Sequence, residues 1–256
     1  ILSGPAGGVV GCQYIAQFAS KSVPANKLIT FDMGGTSTDV SLIDHEPKIT
    51  KEANIGGYPI SIPMLDIHTI GAGGGSIAYV DSGGALRVGP ISAGAYPGPA
   101  CYGNVKAEQA QPTVTDANLI LGRLIPEMFL GGQIRLNPDL AIRALTQLSQ
   151  KLGLDIIRTA LGIIEIVNTH MVRALRVISV ERGYDPMDFS LLAFGGAGGL
   201  HAVSLARQLG IPRVVIPPIA ATLSAFGMLV ADVIKDYSQT VMFSNLTPIA
   251  TIKEAL

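Results

Sequence analysis

The sequence predicts an α/β fold in which a mixed sheet is flanked by helices, and three observations predict it. Two apolar runs, residues 28–31 and 40–43, bracket a polar Gly/Thr loop, the pattern of antiparallel strands joined by a short connection. Residues 190–194, 195–199, 200–209 and 213–216 read in turn as strand, glycine turn, helix and strand, which is a βαβ unit. Between these, in residues 159–182, Glu165, Thr169, Arg173 and Arg176 return every three or four positions on an otherwise apolar cylinder, so a long, mostly buried helix is expected.

The elements follow in chain order. Ser3-Gly4-Pro5-Ala6-Gly7-Gly8 reads as a Gly-rich turn, residues 9–19 as a helix by apolar spacing, and 22–27 as a loop feeding the first strand. After the second strand a turn at His45-Glu46-Pro47 leads into a third over residues 48–51, completing an antiparallel meander. Gly, Pro and short apolar runs dominate residues 55–101 and predict short strands and tight turns with little helix. From Thr115 the pattern changes: 116–124 is compatible with a helix, and Asn137 before Pro138 supplies an N-cap and first-position proline for a helix to about residue 152. Residues 52–158 are therefore expected to form a β-rich and helical insert within one domain spanning 1–256. Beyond the βαβ unit, residues 220–230 form another apolar helix.

Composition narrows the function classes. The 256 residues are 48% hydrophobic and 14% charged, ample for a buried core. A net charge of -1, from 18 Lys and Arg against 19 Asp and Glu, leaves no basic footprint, so neither nucleic acid nor an anionic membrane surface is expected as a partner. Mean hydropathy is high at +0.42, yet no run approaches the roughly 18 apolar residues of a membrane span. The apolar excess is assigned to a buried sheet and to a subunit interface, which predicts an oligomer. Cys12 and Cys101 are too few for a disulfide scaffold and lack zinc-ligand spacing, which fits a reducing cytoplasm. No apolar signal core follows Ile1, and the sequence opens next to a motif, so it is expected to be part of a longer polypeptide.

The sharpest chemical signal is Asp32-Met33-Gly34-Gly35-Thr36-Ser37-Thr38-Asp39. Gly34 and Gly35 let backbone N–H groups approach phosphate oxygens, and Thr36, Ser37 and Thr38 add hydroxyl donors. Asp32 and Asp39 would repel a bare triphosphate, but they suit a site where Mg²⁺ and its waters mediate between protein and nucleotide, with Asp32 positioning metal-bound water. The bland alternative is a hairpin loop rich in turn formers. A second candidate, Gly195, Gly196, Ala197 and Gly198, lies between a strand and a helix, where a nucleotide meets both amides and the helix dipole; the alternative is a glycine turn for helix packing. The spacing is not G-x-G-x-x-G, and Asp232 and Asp236 come too late for the acidic residue of a dinucleotide fold.

Other residues invite weaker readings. Asp66 and His68 share a face if extended and would contact metal or substrate, although two ligands without a third also arise by chance. Gly73, Gly74 and Gly75, within the run 71–76, either line a substrate cleft or make a tight crossing. His201 is expected to cap or pack rather than catalyse, and His170 to be a satisfied helix residue. Cys101 has no His nearby in sequence to activate it, which favours a structural role.

The two phosphate-type loops, in this order and with a helical segment between them, resemble the second phosphate motif and the adenosine motif of the actin and sugar-kinase ATPase superfamily. Together with Ser3-Gly4-Pro5-Ala6-Gly7-Gly8, the run 69–76, Gly94-Ala95-Tyr96-Pro97-Gly98-Pro99-Ala100-Cys101-Tyr102-Gly103 and Thr115-Asp116-Ala117-Asn118, they resemble the hydantoinase A/5-oxoprolinase family from Ser3 to about Asp232. The resemblance implies an actin-like (ribonuclease H-like) ATPase fold. It also implies an ATP- and Mg²⁺-dependent subunit that phosphorylates a cyclic amide oxygen and completes ring opening with a hydantoinase B-type partner. Relatives acting on a ketone enol oxygen, as in acetone or acetophenone carboxylation, are the alternative, and a non-catalytic nucleotide switch is a third. The family's first phosphate motif lies in an N-terminal half outside these residues, so they alone are expected to turn over little ATP. Gly199 stands where relatives commonly carry Pro.

Overall fold

β-branched and aromatic residues in Lys27–Met33 (β1) and Thr38–Asp44 (β2) favour extended backbone, and their alternation gives each strand two usable faces. In the computed structural model of the chain, which describes residues 3–18, 26–50, 53–55, 58–60, 63–104, 109–233, 240, 242–244 and 247–255, these strands pair antiparallel, with Phe31 opposite Val40 and Asp32 opposite Asp39. The remaining strands are β3 (Glu46–Pro47), β4 (Ile49–Thr50), β5 (Ala53–Ile55), β6 (Tyr58–Ile60), β7 (Met64–Leu65), β8 (Ile67–Ile70), β9 (Ser76–Val80), β10 (Leu86–Ser92), β11 (Ser190–Phe194) and β12 (Arg213–Val215). The helices are α1 (Ser3–Phe18), α2 (Val114–Ile120), α3 (Pro138–Leu152), α4 (Ile156–Ile178), α5 (Gly195–Leu209), α6 (Leu223–Val230) and α7 (Ile249–Ala255).

The main sheet runs β12-β11-β1-β2-β3, with β8 also pairing β2. β12, β11 and β1 are parallel, whereas β2 meets β1, β3 and β8 antiparallel, so the sheet is mixed. This is the fold class the sequence predicts. Two apolar clusters cover its two faces. Ile29, Phe31, Val40 and Leu191 pack with Val167 and Leu175 of α4 and Ala202 and Leu205 of α5. Leu28, Ile43 and Phe194, on the opposite face, pack with Val9 and Cys12 of α1 and Leu223 of α6. Among the described residues no helix is long and apolar enough to cross a membrane.

Several boundaries differ from expectation for physical reasons. The opening glycine segment is helix, not turn: α1 begins at Ser3, and its small residues let α6 press against it. A Cβ on Gly227 of α6 would sit 1.7 Å from the Gly7 carbonyl oxygen, so this crossing tolerates no side chain there. Likewise Gly195–Gly199 is the first turn of α5 rather than a loop before it. The long helix starts at Ile156, because Asp155 caps it by accepting from the Arg158 amide, and stops at Ile178 before a separate 3₁₀ turn at Val180–Arg182. It is buried along one face, leaving Glu165, His170, Arg173 and Arg176 exposed on the other. The Asn137 cap and Pro138 behave as expected, with the Asn137 Oδ1 accepting from Asp139 and Leu140. Most of the expected loop 22–27, and also Lys51 and Asp236, lie outside the described residues.

Candidate functional site

The β1–β2 connection is held by its carbonyls, which leaves its amides free. Gly34 N donates to Ser37 O at 3.1 Å, and the Gly34 and Gly35 carbonyls accept from the amides of Gly74 (3.0 Å) and Gly75 (2.6 Å). The amides of Gly35, Thr36 and Ser37 donate to no acceptor among the described residues, and the Thr36 and Ser37 hydroxyls are likewise unengaged. Three consecutive unpaired N–H groups on an exposed turn form a concavity suited to an anion. Thr38 departs from expectation: its hydroxyl is buried and donates to the Ala72 carbonyl at 2.6 Å, so it braces the loop instead of contributing a donor.

The run Gly73-Gly74-Gly75 is the tight crossing against this loop. A Cβ on Gly73 would lie 2.6 Å from the Thr36 nitrogen, so only a bare backbone fits. Thr115 locks the run from behind, its amide and its hydroxyl both donating to the Gly74 carbonyl at 2.8 Å. Thr115 sits in the first turn of α2, which is started by a capping box between Thr113 and Asp116. Asp116 is fully buried and also accepts from the amides of Ala100 (3.1 Å) and Cys101 (2.8 Å), pinning the Gly98–Tyr102 segment to α2. The signal for Asp116 in the sequence is Thr113-x-x-Asp116 before an apolar run, a capping signature.

The second glycine motif arrives at the same place. Parallel pairing of β1 with β11 sets Asp32 beside Phe194, and α5 begins at the next residue. Gly195 has φ +77, and a Cβ there would fall 2.3 Å from Asp32 Oδ1. No side chain caps α5 and no acid occupies its first turn, so the N-terminal amides of Gly196, Ala197 and Gly198 are offered alongside the helix dipole. The structure thus brings Asp32, Asp39, Gly34–Ser37 and Gly195–Gly198 together.

Asp32 and Asp39, paired across the ladder, project from the α1/α6 face of the sheet. Ser224 on α6 donates to Asp32 Oδ2 at 3.3 Å, and Thr69 donates to Asp39 Oδ1 at 2.5 Å. Burial, and then the Asp39 charge, push the Asp32 carboxyl up to about 6, with Ser224 acting in the opposite sense. Two carboxylates this close favour a bound cation. Among the described residues no group of three or more His, Cys, Asp or Glu could form an all-protein metal cage. Two carboxylates that leave the remaining positions to water and phosphate oxygens fit Mg²⁺, which keeps much of its hydration.

Asp66 and His68 are not part of this constellation. His68 lies opposite Val40, one residue from Thr69, so strand alternation turns it to the α4 face, away from Asp39. Asp66 forms an ion pair with Arg182, just beyond α4. Nor is Cys101 a nucleophile: it is buried, and that burial, followed by the Asp116 charge, pushes its thiol up.

His201 joins the elements behind the site. Its imidazole is fully buried, with Nδ1 2.7 Å from Asn168 Oδ1 on α4 and Nε2 3.3 Å from Asn118 Nδ2 on α2. Burial, and then Arg123, lower its pKa to about 4, so it is neutral, donating from Nδ1 and accepting at Nε2. This is the packing role the sequence predicts, with Asn118 and Asn168 as partners that sequence spacing does not reveal.

The chain is similar to two characterised sequences and to two solved structures. The caprolactamase subunit alpha of Pseudomonas jessenii is 48% identical over 217 residues, covering 84% of this chain and 31% of that protein. A crystal structure of ATP-dependent caprolactamase from the same organism superposes with a TM-score of 0.76 at 44% identity, over 90% of this chain and 32% of the other. The 5-oxoprolinase of Saccharomyces cerevisiae is 42% identical over 255 residues, 95% of this chain and 19% of that protein. A nucleotide-free structure of acetone carboxylase superposes with a TM-score of 0.79 at 33% identity, over 90% of this chain and 32% of that one. The chain therefore spans a third or less of the length of these relatives. The hydantoinase/oxoprolinase family model matches residues 1–237, and the chain belongs to that family.

Proposed function

We propose that this chain is the nucleotide-gripping part of an ATP-dependent hydrolase that opens a cyclic amide by phosphorylating the amide oxygen, acting with a hydantoinase B-type partner. The observation that carries the reading is the meeting at Asp32 of two donor surfaces, the free amides of Gly35, Thr36 and Ser37 and the uncapped start of α5. Identity of 48% to a caprolactamase subunit alpha and 42% to a 5-oxoprolinase supports the substrate class, and the word subunit in the first name supports a partner.

The chemistry makes sense of the arrangement. An unactivated lactam is a poor electrophile; with its oxygen phosphorylated, water adds to the ring carbon, the C–N bond breaks with the ring nitrogen leaving as the protonated amine, and a second water releases phosphate from the acyl phosphate so formed. MgATP, when bound, supplies that phosphoryl group and offsets the charge that develops on it. The loop amides and the Thr36 and Ser37 hydroxyls bind phosphate oxygens, and the start of α5 adds its N–H groups and dipole. Asp32 and Asp39 would hold a hydrated Mg²⁺, Asp32 by orienting water in its shell, while Thr69 fixes the Asp39 carboxylate. Gly73–Gly75 keep the loop in place by contacting it. We place the protein in the cytoplasm, where two free buried cysteines suit a reducing compartment, and as an oligomer with its partner.

A second reading, ketone carboxylation, is favoured by the TM-score of 0.79 to acetone carboxylase, but identity there is 33% against 44% for the caprolactamase structure. The full-length protein with its partner separates the two. ADP release stimulated by lactams supports ring opening, whereas stimulation only by a ketone with bicarbonate would replace it. These 256 residues alone are expected to turn over little ATP.

A further inference from the structure

A cavity of about 290 Å³ lies behind the glycine run that crosses the phosphate loop, walled by Ile77, Ser92, Tyr96, Pro97, Gln109 and Gln111. Its link to the loop is direct. Gly75 donates to the Gly35 carbonyl at 2.6 Å, Ala93 donates to the Gly75 carbonyl at 2.8 Å, and Ser92 Oγ lies 2.9 Å from where a Gly75 Cβ would be. One wall is rigid: Asp116 holds the amides of Ala100 and Cys101, and Gly98 closes a turn by donating to Ala93 at 3.1 Å. The motif 94–103, which nucleotide binding leaves without a role, is thereby explained as part of a pocket two hydrogen bonds from the nucleotide loop.

The lining is polar without being charged. Ser92, Tyr96, Gln109 and Gln111 supply hydroxyl and carboxamide groups, and no Asp, Glu, Lys, Arg or His lines the cavity among the described residues. A carboxamide presents one acceptor and two donors, complementary to the N–H and C=O of a cyclic amide, and Ile77 and Pro97 offer apolar surface to a ring. A ring carboxylate would be desolvated here, and no cation among the described residues lines the cavity to meet it.

We propose that this cavity is the ring-substrate site and that it selects an uncharged cyclic amide over a lactam carrying a carboxylate. The inference rests on the cyclic-amide reading above. A rival location is the cavity of about 280 Å³ at the other end of the glycine run, lined by Ile70, Val88, Pro90, His170 and Arg173. Its Arg173 guanidinium would suit a carboxylate, so the two cavities predict opposite substrate preferences.

The test uses the full-length protein with its partner, assayed for ADP release with ε-caprolactam, 2-pyrrolidinone and 5-oxoproline. The uncharged lactams are expected to stimulate at KM values at least roughly ten-fold below that of 5-oxoproline. Gln111→Ala and Ser92→Ala are expected to raise the lactam KM more than the KM for ATP, by roughly ten-fold for each hydrogen bond lost. Gln111→Arg is expected to narrow or reverse the preference against 5-oxoproline. Preference for 5-oxoproline that is abolished by Arg173→Ala would overturn the proposal in favour of the α4-side cavity, as would a lactam KM indifferent to both Gln111 and Ser92. If no cyclic amide stimulates ADP release at all, it is the underlying functional reading that fails.

Discussion

Gly195 sits against Asp32 so closely that a methyl group on its α-carbon would come within 2.3 Å of the carboxylate oxygen, at a φ of +77. The start of α5 and the end of β1 are therefore a single structural unit, packed together with no side chain on Gly195 between them.

Gly195→Ala is accordingly expected to destabilise the chain by about 2–4 kcal/mol, combining left-handed strain with overlap. Gly196→Ala is the control. That position is exposed with nothing within 4 Å of a Cβ, so its effect on stability is expected to stay within about 1 kcal/mol. Urea denaturation of both variants checks the pair, and equal losses would mean that the contact with Asp32 is not the constraint.

Asp32 should weaken the fold it serves. Its carboxyl is held up at about 6 against 3.8 unperturbed, so the folded state binds the proton more tightly. That stabilisation is complete below pH 3.8 and is lost as pH rises through 6. Without nucleotide, Asp32→Asn is expected to be more stable than the parent at pH 7.5 by about 1–2 kcal/mol, after allowing for partial exposure, and equally stable near pH 4. The same change is expected to remove most substrate-stimulated ATP hydrolysis. A variant no more stable than the parent at pH 7.5 would show that the carboxylate pays no such penalty.

His201 has the opposite sign. A base lowered to about 4 from 6.5 is neutral in the folded state, so the unfolded chain binds more protons between those values. Stability is then lost as pH falls from 6.5 to 4, by up to about 3 kcal/mol. In His201→Gln this component is absent, and its decline over that window is expected to be shallower. Denaturation midpoints at pH 7, 5.5 and 4 decide it, parallel curves being the contrary result.

Thr115 tests the brace behind the loop. Thr115→Val removes the hydroxyl donor to Gly74 while keeping the amide, and is expected to cost about 1 kcal/mol and to loosen nucleotide binding through the Gly74–Gly34 contact. Nucleotide affinity measured by calorimetry, unchanged at equal loss of stability, would confine Thr115 to a structural role.

Much of this was legible in local sequence. Strands β1, β2 and β11 announce themselves by short apolar runs, and both phosphate motifs by small residues at strand ends, because these signals arise within a few residues of chain. Glycine hides the helix starts at Ser3–Gly8 and Gly195–Gly199, because there a neighbouring backbone demands the missing Cβ and helix packing outweighs intrinsic propensity. What could not be read is what joins distant segments. Ser224 meets Asp32 across 192 positions, Asn118 meets His201 across 83, and the Gly73–Gly75 run lies on the loop at 34–36. The placement of Asp66 and His68 is hidden from the sequence for a related reason. Alternation places the two on a common face, but only the register of β8 against β2 says which side of the sheet that face is on.

The most direct test of the central claim is a crystal structure of the full-length protein with Mg²⁺ and a non-hydrolysable ATP analogue. The account predicts phosphate oxygens within hydrogen-bonding distance of the Gly35, Thr36 and Ser37 amides, with the metal between them and Asp32. A nucleotide bound elsewhere, with those three amides still facing solvent, would contradict it.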